Sequence, residues 1–114
     1  MRHVEVANII LSQLGGNKFI AMTGAKNFIA LNEKDGAVIF HIGKNSSKAN
    51  RVKITLEWDD TYTMEFIKHT PYKFNARTMK ETREKTEILE TVENVYCDML
   101  QDVFENYTGL YTHL

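Results

Sequence analysis

Lysine and arginine gather in the middle of this chain. Lys44, Lys48, Arg51 and Lys53 fall within one ten-residue stretch, and Lys73 and Arg77 follow further on. Ammonium and guanidinium groups spaced in this way suit phosphates, because each contact releases counterions condensed on a nucleic-acid backbone. A second stretch, Thr23-Gly24-Ala25-Lys26-Asn27, joins a glycine turn to a cation. Backbone N–H groups in such a turn, with Lys26 beside them, suit an anion. Lys26, Lys44, Lys48, Arg51 and Lys53 are therefore the candidate contacts for a nucleic acid or another partner. Plainer accounts exist for both features. A turn between two strands explains the glycine stretch, and a solvated sheet face explains the cations. Glu57, Asp59, Asp60 and Glu65 dilute the basic charge, and no exposed aromatic platform is evident beside it.

The residue types that signal catalysis are sparse. No phosphate loop, dinucleotide fingerprint, paired-cysteine zinc pattern, metalloprotease helix or nucleophile elbow occurs. His3, His41, His69 and His113 are scattered, and none stands at ligand spacing from another histidine or from Cys97. No metal and no cofactor is expected, and the chain reads as a non-enzyme. The alternative is a small enzyme assembled from distant residues such as His69, Asp60 and Lys26, which requires them to converge in a pocket. Cys97, the sole cysteine, excludes an internal disulfide and points to a reducing, cytoplasmic setting. It is expected as a packed thiol on a helix. The apolar stretch near the N-terminus is interrupted by Ser12 and Gln13, a poor signal peptide and no membrane span.

The elements that must position these residues follow from hydrophobic spacing. Val6, Ile9, Ile10 and Leu14 predict an amphipathic helix over 4–14, ended by Gly15-Gly16. Strands are expected at 18–22, 27–31 and 37–42, with turns at Thr23-Gly24-Ala25 and Glu33-Lys34-Asp35-Gly36. The polar segment 43–50 reads as a mobile basic loop. Val52, Ile54, Leu56 and Trp58 alternate with polar residues, as do Tyr62, Met64 and Phe66 after Asp59-Asp60, which predicts an antiparallel hairpin with one apolar face. Pro71 ends the second strand or begins the next, and Tyr72, Phe74 and Ala76 suggest a further edge strand. From Leu89 to Tyr107 apolar residues recur every three or four positions, which predicts one long helix with Glu87, Glu90, Glu93, Asp98, Asp102 and Glu105 on its wet face.

The expected fold is a single α+β domain over 1–114: an N-terminal helix, an antiparallel β-meander of about five or six strands, and a long C-terminal amphipathic helix packed on the sheet. Charge is uneven along it. Residues 41–85 hold ten Lys/Arg against six acids, whereas residues 86–114 hold six acids and no Lys/Arg.

Leu14-Gly15-Gly16-Asn17-Lys18-Phe19-Ile20-Ala21-Met22-Thr23-Gly24-Ala25-Lys26-Asn27-Phe28 and Thr108-Gly109-Leu110-Tyr111-Thr112 resemble the ends of small proteins encoded by phages and related mobile elements, over most of the chain. The resemblance implies a phage or prophage setting and an accessory role, with no catalytic residues to carry over. The resulting expectation is a non-enzymatic accessory protein that binds a protein or nucleic acid through its sheet face and the 43–50 loop, with self-association open and no membrane partner. The competing expectation is an inhibitor or regulator whose acidic C-terminal helix docks on a basic host protein.

Overall fold

The computed structural model describes residues 2–112; His113 lies outside the described residues. Helix α1 (Arg2–Leu14) and helix α2 (Asn17–Thr23) lead into strands β1 (Lys26–Leu31), β2 (Ala37–His41), β3 (Arg51–Leu56) and β4 (Tyr62–Thr70). Two short strands, β5 (Lys73–Asn75) and β6 (Lys80–Thr82), precede the long β7 (Lys85–Val95). A single 3₁₀ turn (Cys97–Met99) and helix α3 (Leu100–Thr108) complete the chain. The main sheet is antiparallel with order β1-β2-β3-β4-β7, and β5-β6 form a separate two-stranded ribbon.

All three helices contribute to one core on one face of the sheet. Val6, Ile10 and Leu14 of α1, Phe19 of α2, and Leu100 and Phe104 of α3 cluster with Val38, Phe40, Val52, Ile54, Met64 and Phe66 of the strands. Phe19 stands edge-on to Phe40 at 5.7 Å and to Phe104 at 5.1 Å, so it ties two helices to the sheet. Alternation along β2, β3 and β4 sends the intervening residues to the opposite face, which carries no helix. Across that open face the register aligns Ile29, Ile39, Lys53, Glu65 and Thr91 in one row, and His41, Arg51, Ile67 and Ile88 in another.

Two expected elements change type. Residues 18–22, expected as a strand, lie within α2. There Phe19 and Thr23 are buried one helical turn apart, and Gly24 ends the helix at φ 70° with its N–H donating to the Ile20 carbonyl. The glycine of the Thr23–Asn27 stretch is therefore a helix cap, not a turn between two strands. The larger correction is at the C-terminus. No long helix forms, because residues 85–95 pair with β4 and only the nine residues of α3 follow as α-helix. The register between β4 and β7 shifts at two places, between Tyr62 and Met64 and between Phe66 and Ile67. Each shift inserts a residue into β7, so Leu89, Val92 and Val95, which all meet the core, are three apart instead of two. Bulges have thus given a strand the apolar spacing of a helix. Asn94, at φ 58°, marks one of them.

Candidate nucleic-acid interface

The β5-β6 ribbon is the far half of the β4-β7 hairpin. Pairing runs from Lys68↔Glu87 through His69↔Thr86 to Thr70↔Lys85, then resumes in the same register as Lys73↔Thr82, Phe74↔Glu81 and Asn75↔Lys80. The gap falls at Pro71, which has no N–H to give to a ladder. Asn75 Oδ1 accepts from the N–H groups of Arg77 and Thr78 at 3.0 and 3.4 Å and shapes the tip. Every residue from 71 to 86 is exposed, so this stretch is an arm standing clear of the body.

The arm is basic and two-faced. Residues 68–85 hold six Lys/Arg against two acids. Register places Lys73, Asn75, Lys80 and Thr82 on one face and Phe74 and Glu81 on the other. Tyr72, two residues before Phe74, shares its face, and its phenol O–H donates to Glu81 at 3.2 Å. Tyr72 and Phe74 are 56% and 54% exposed, so an aromatic platform does stand beside the basic charge, contrary to the expectation from sequence. Arg83 and Lys85 sit near Glu81 and Glu87, at 3.6 and 3.1 Å, whereas Lys73, Arg77 and Lys80 have no ion-pair partner among the described residues.

At the root of the arm the open sheet face is cationic. Lys26 pairs in register with His41, and His41 with Arg51. Partial burial, then Arg51, Lys26 and His69, hold the His41 imidazole below its ordinary pKa. His69 Nδ1 lies 3.1 Å from Thr86 Oγ1. Asn50 braces the same residue, its Oδ1 accepting from the His69 N–H at 2.8 Å and its Nδ2 donating to the His69 carbonyl at 2.7 Å.

The 43–50 loop joins β2 to β3 at this same end. Side-chain hydrogen bonds shape its backbone. Asn45 Nδ2 donates to the carbonyls of Gly43 and Ala49, both at 2.8 Å, Ala49 is 2% exposed, and Ser46 Oγ donates to the Thr108 carbonyl at 3.1 Å. Lys44 and Lys48 point from it into solvent. Topology therefore brings Lys26, Lys44, Lys48 and Arg51 to the arm end of the sheet. Lys53 stands apart from them, paired with Glu33.

The opposite end of the open face is acidic. Glu33, Glu57, Asp59, Glu65 and Glu93, with Lys34 and Lys53, line a trough of about 640 Å³ rimmed by Trp58. Trp58 is 72% exposed, although its alternation with Val52, Ile54 and Leu56 predicts a buried face. Lys34 Nζ lies 2.5 Å from Glu57 Oε1, and that hydrogen bond raises the Lys34 pKa.

The remaining expected sites do not assemble. His69 is at the arm end of β4 and Asp60 in the turn before its other end, about 25 Å away at strand rise, so the set His69, Asp60 and Lys26 does not meet. The six C-terminal acids are divided: Glu87, Glu90 and Glu93 on β7, Asp98 in the 3₁₀ turn, Asp102 and Glu105 on α3. Among the described residues no single helix carries all six. Cys97 is exposed in the 3₁₀ turn, not packed on a helix. Among the described residues, no three His, Cys, Asp or Glu side chains come together to hold a metal ion, and no helix is long and apolar enough to cross a membrane. The outgoing strand of the arm was legible as the Tyr72-Phe74 alternation, but its partner was missed, because residues 80–86 read only as polar.

Searches of protein-family models, curated proteins and solved structures give no match to this chain.

Proposed function

We propose that this protein binds nucleic acid through the β5-β6 arm and the cationic sheet end at its root. The arm carries the reading: all its residues are exposed, Lys73, Arg77 and Lys80 have no ion-pair partner among the described residues, and none of its side chains joins the core. A two-stranded hairpin alone is marginally stable in water, so an arm that adds nothing to the core gains from a ligand that covers it. Lys73, Arg77 and Lys80 would meet phosphates directly, and Lys26, Lys44, Lys48 and Arg51 would extend the contact across the body. The resemblance of 14–28 and 108–112 to small phage and mobile-element proteins supports an accessory setting for this binding.

The test is fluorescence anisotropy with labelled DNA and RNA oligonucleotides across a range of salt. Each phosphate contact contributes about 0.7–0.9 to the slope of log affinity against log salt. Reversing Lys73, Arg77 and Lys80 to Glu is expected to abolish binding at moderate salt, and reversing Lys44, Lys48 and Arg51 to weaken it. Replacing 72–83 by Asn-Gly is expected to abolish binding while leaving the melting temperature within a few degrees, because no arm residue belongs to the core. Binding that is absent at low salt, or indifferent to the arm, would overturn the proposal.

A further inference from the structure

Resting on that reading, we infer that the arm's ligand is single-stranded nucleic acid, its bases stacking on Tyr72 and Phe74. The two rings share one face of the ribbon and stand two residues apart, roughly 6.6 Å along the strand at ~3.3 Å per residue. That separation is about two base thicknesses, since stacked bases rise about 3.4 Å. Among the described residues neither ring packs against another aromatic ring, and both are more than half exposed. The Tyr72 phenol is tethered to Glu81, which holds that ring on its face of the ribbon.

Charge complementarity selects a polyanion over a protein. Lys73 and Lys80 occupy the opposite face and Arg77 the tip, so a strand running along the ribbon edge places phosphates within reach of the long lysine chains and bases on the rings. The position of the rings selects single strands over duplex. In a duplex the π faces of the bases are already covered by their neighbours. An apolar wedge that opens a base step works from the end of a protruding element. Here the aromatic rings lie on the flat of the ribbon and cannot act as that wedge; the turn, Ala76-Arg77-Thr78-Met79, offers only the exposed Met79 in that place.

The deciding experiment compares a single-stranded oligonucleotide with a duplex of the same length, using the full chain, Phe74→Ala, Tyr72→Ala and Phe74→Leu. Phe74→Leu keeps apolar area and removes the flat π face. Single strands are expected to bind more tightly than duplex. Each Ala variant, and Phe74→Leu nearly as much, should lose about 5- to 100-fold in single-strand affinity with the salt slope unchanged. If single strand and duplex bind alike and Phe74→Ala alters neither, stacking is wrong while the nucleic-acid reading survives. If Phe74→Leu binds like the parent, the contact is apolar and not stacking. If no oligonucleotide binds with salt dependence, both readings fall together.

Discussion

The side-chain amide nitrogen of Asn27 lies 3.3 Å from Nδ1 of His41. With that amide nitrogen donating, Nδ1 is the acceptor, an arrangement that suits a neutral imidazole carrying its proton on Nε2. Protonation would set two donors against each other, beside Arg51 and Lys26. The folded pKa is accordingly held below 6.5 by burial first and by these cations second. Between the depressed value and 6.5 the unfolded chain binds more protons than the folded one, so stability rises with pH through that window and levels off above it. Melting temperatures at pH 5.5 and 7.5 should therefore differ, and His41→Gln should narrow the difference. An equal gap in parent and variant would remove His41 as its source.

Gly36 ends the turn between β1 and β2 at φ 123°, and a Cβ built there would come within 2.8 Å of Val6 Cβ on α1. Val6 is 3% exposed and has no room to retreat. Gly36→Ala combines backbone strain with a push of α1 off the sheet and is expected to cost about 2–4 kcal/mol. Denaturant unfolding measures this, and a loss below about 1 kcal/mol would show that the helix yields easily.

Phe19 is fully buried where α2, α3 and the sheet meet. Phe19→Ala should destabilise the fold by about 3–5 kcal/mol, through lost burial and the cavity left between Phe40 and Phe104. Ala21, on the exposed side of the same helix, supplies the control, since Ala21→Ser should fall within about 0.5 kcal/mol of the parent.

Cys97 is exposed between β7 and α3. A thiol reagent should label it fully in native buffer, without denaturant, and mildly oxidising conditions should yield a disulfide-linked dimer on a non-reducing gel. Labelling that waits for unfolding would mean the thiol is shielded.

Sequence by itself determined the parts governed by local rules. It predicted α1 and its glycine stop, the β3-β4 hairpin with its one apolar face, the Glu33–Gly36 and Asp59-Asp60 turns, and a strand boundary at Pro71, because spacing, φ preference and a missing N–H each act within a few residues. It also singled out the basic residues of the arm end. What tertiary structure decided lay wherever local signals were ambiguous. The Phe19-Ile20 stretch suits either state, and α2 won because one helical turn aligns Phe19 with Thr23 toward the core. Leu89, Val92 and Val95 carry a three-residue spacing that a helix or a bulged strand satisfies equally. Only pairing with β4, nearly thirty residues away, selects the strand. That same pairing sets the register carried on past Pro71, turns a polar stretch into a protruding ribbon, and sorts its rings to one face and Lys73 and Lys80 to the other. Those long-range contacts are invisible to any window along the chain, and the candidate site is made of them.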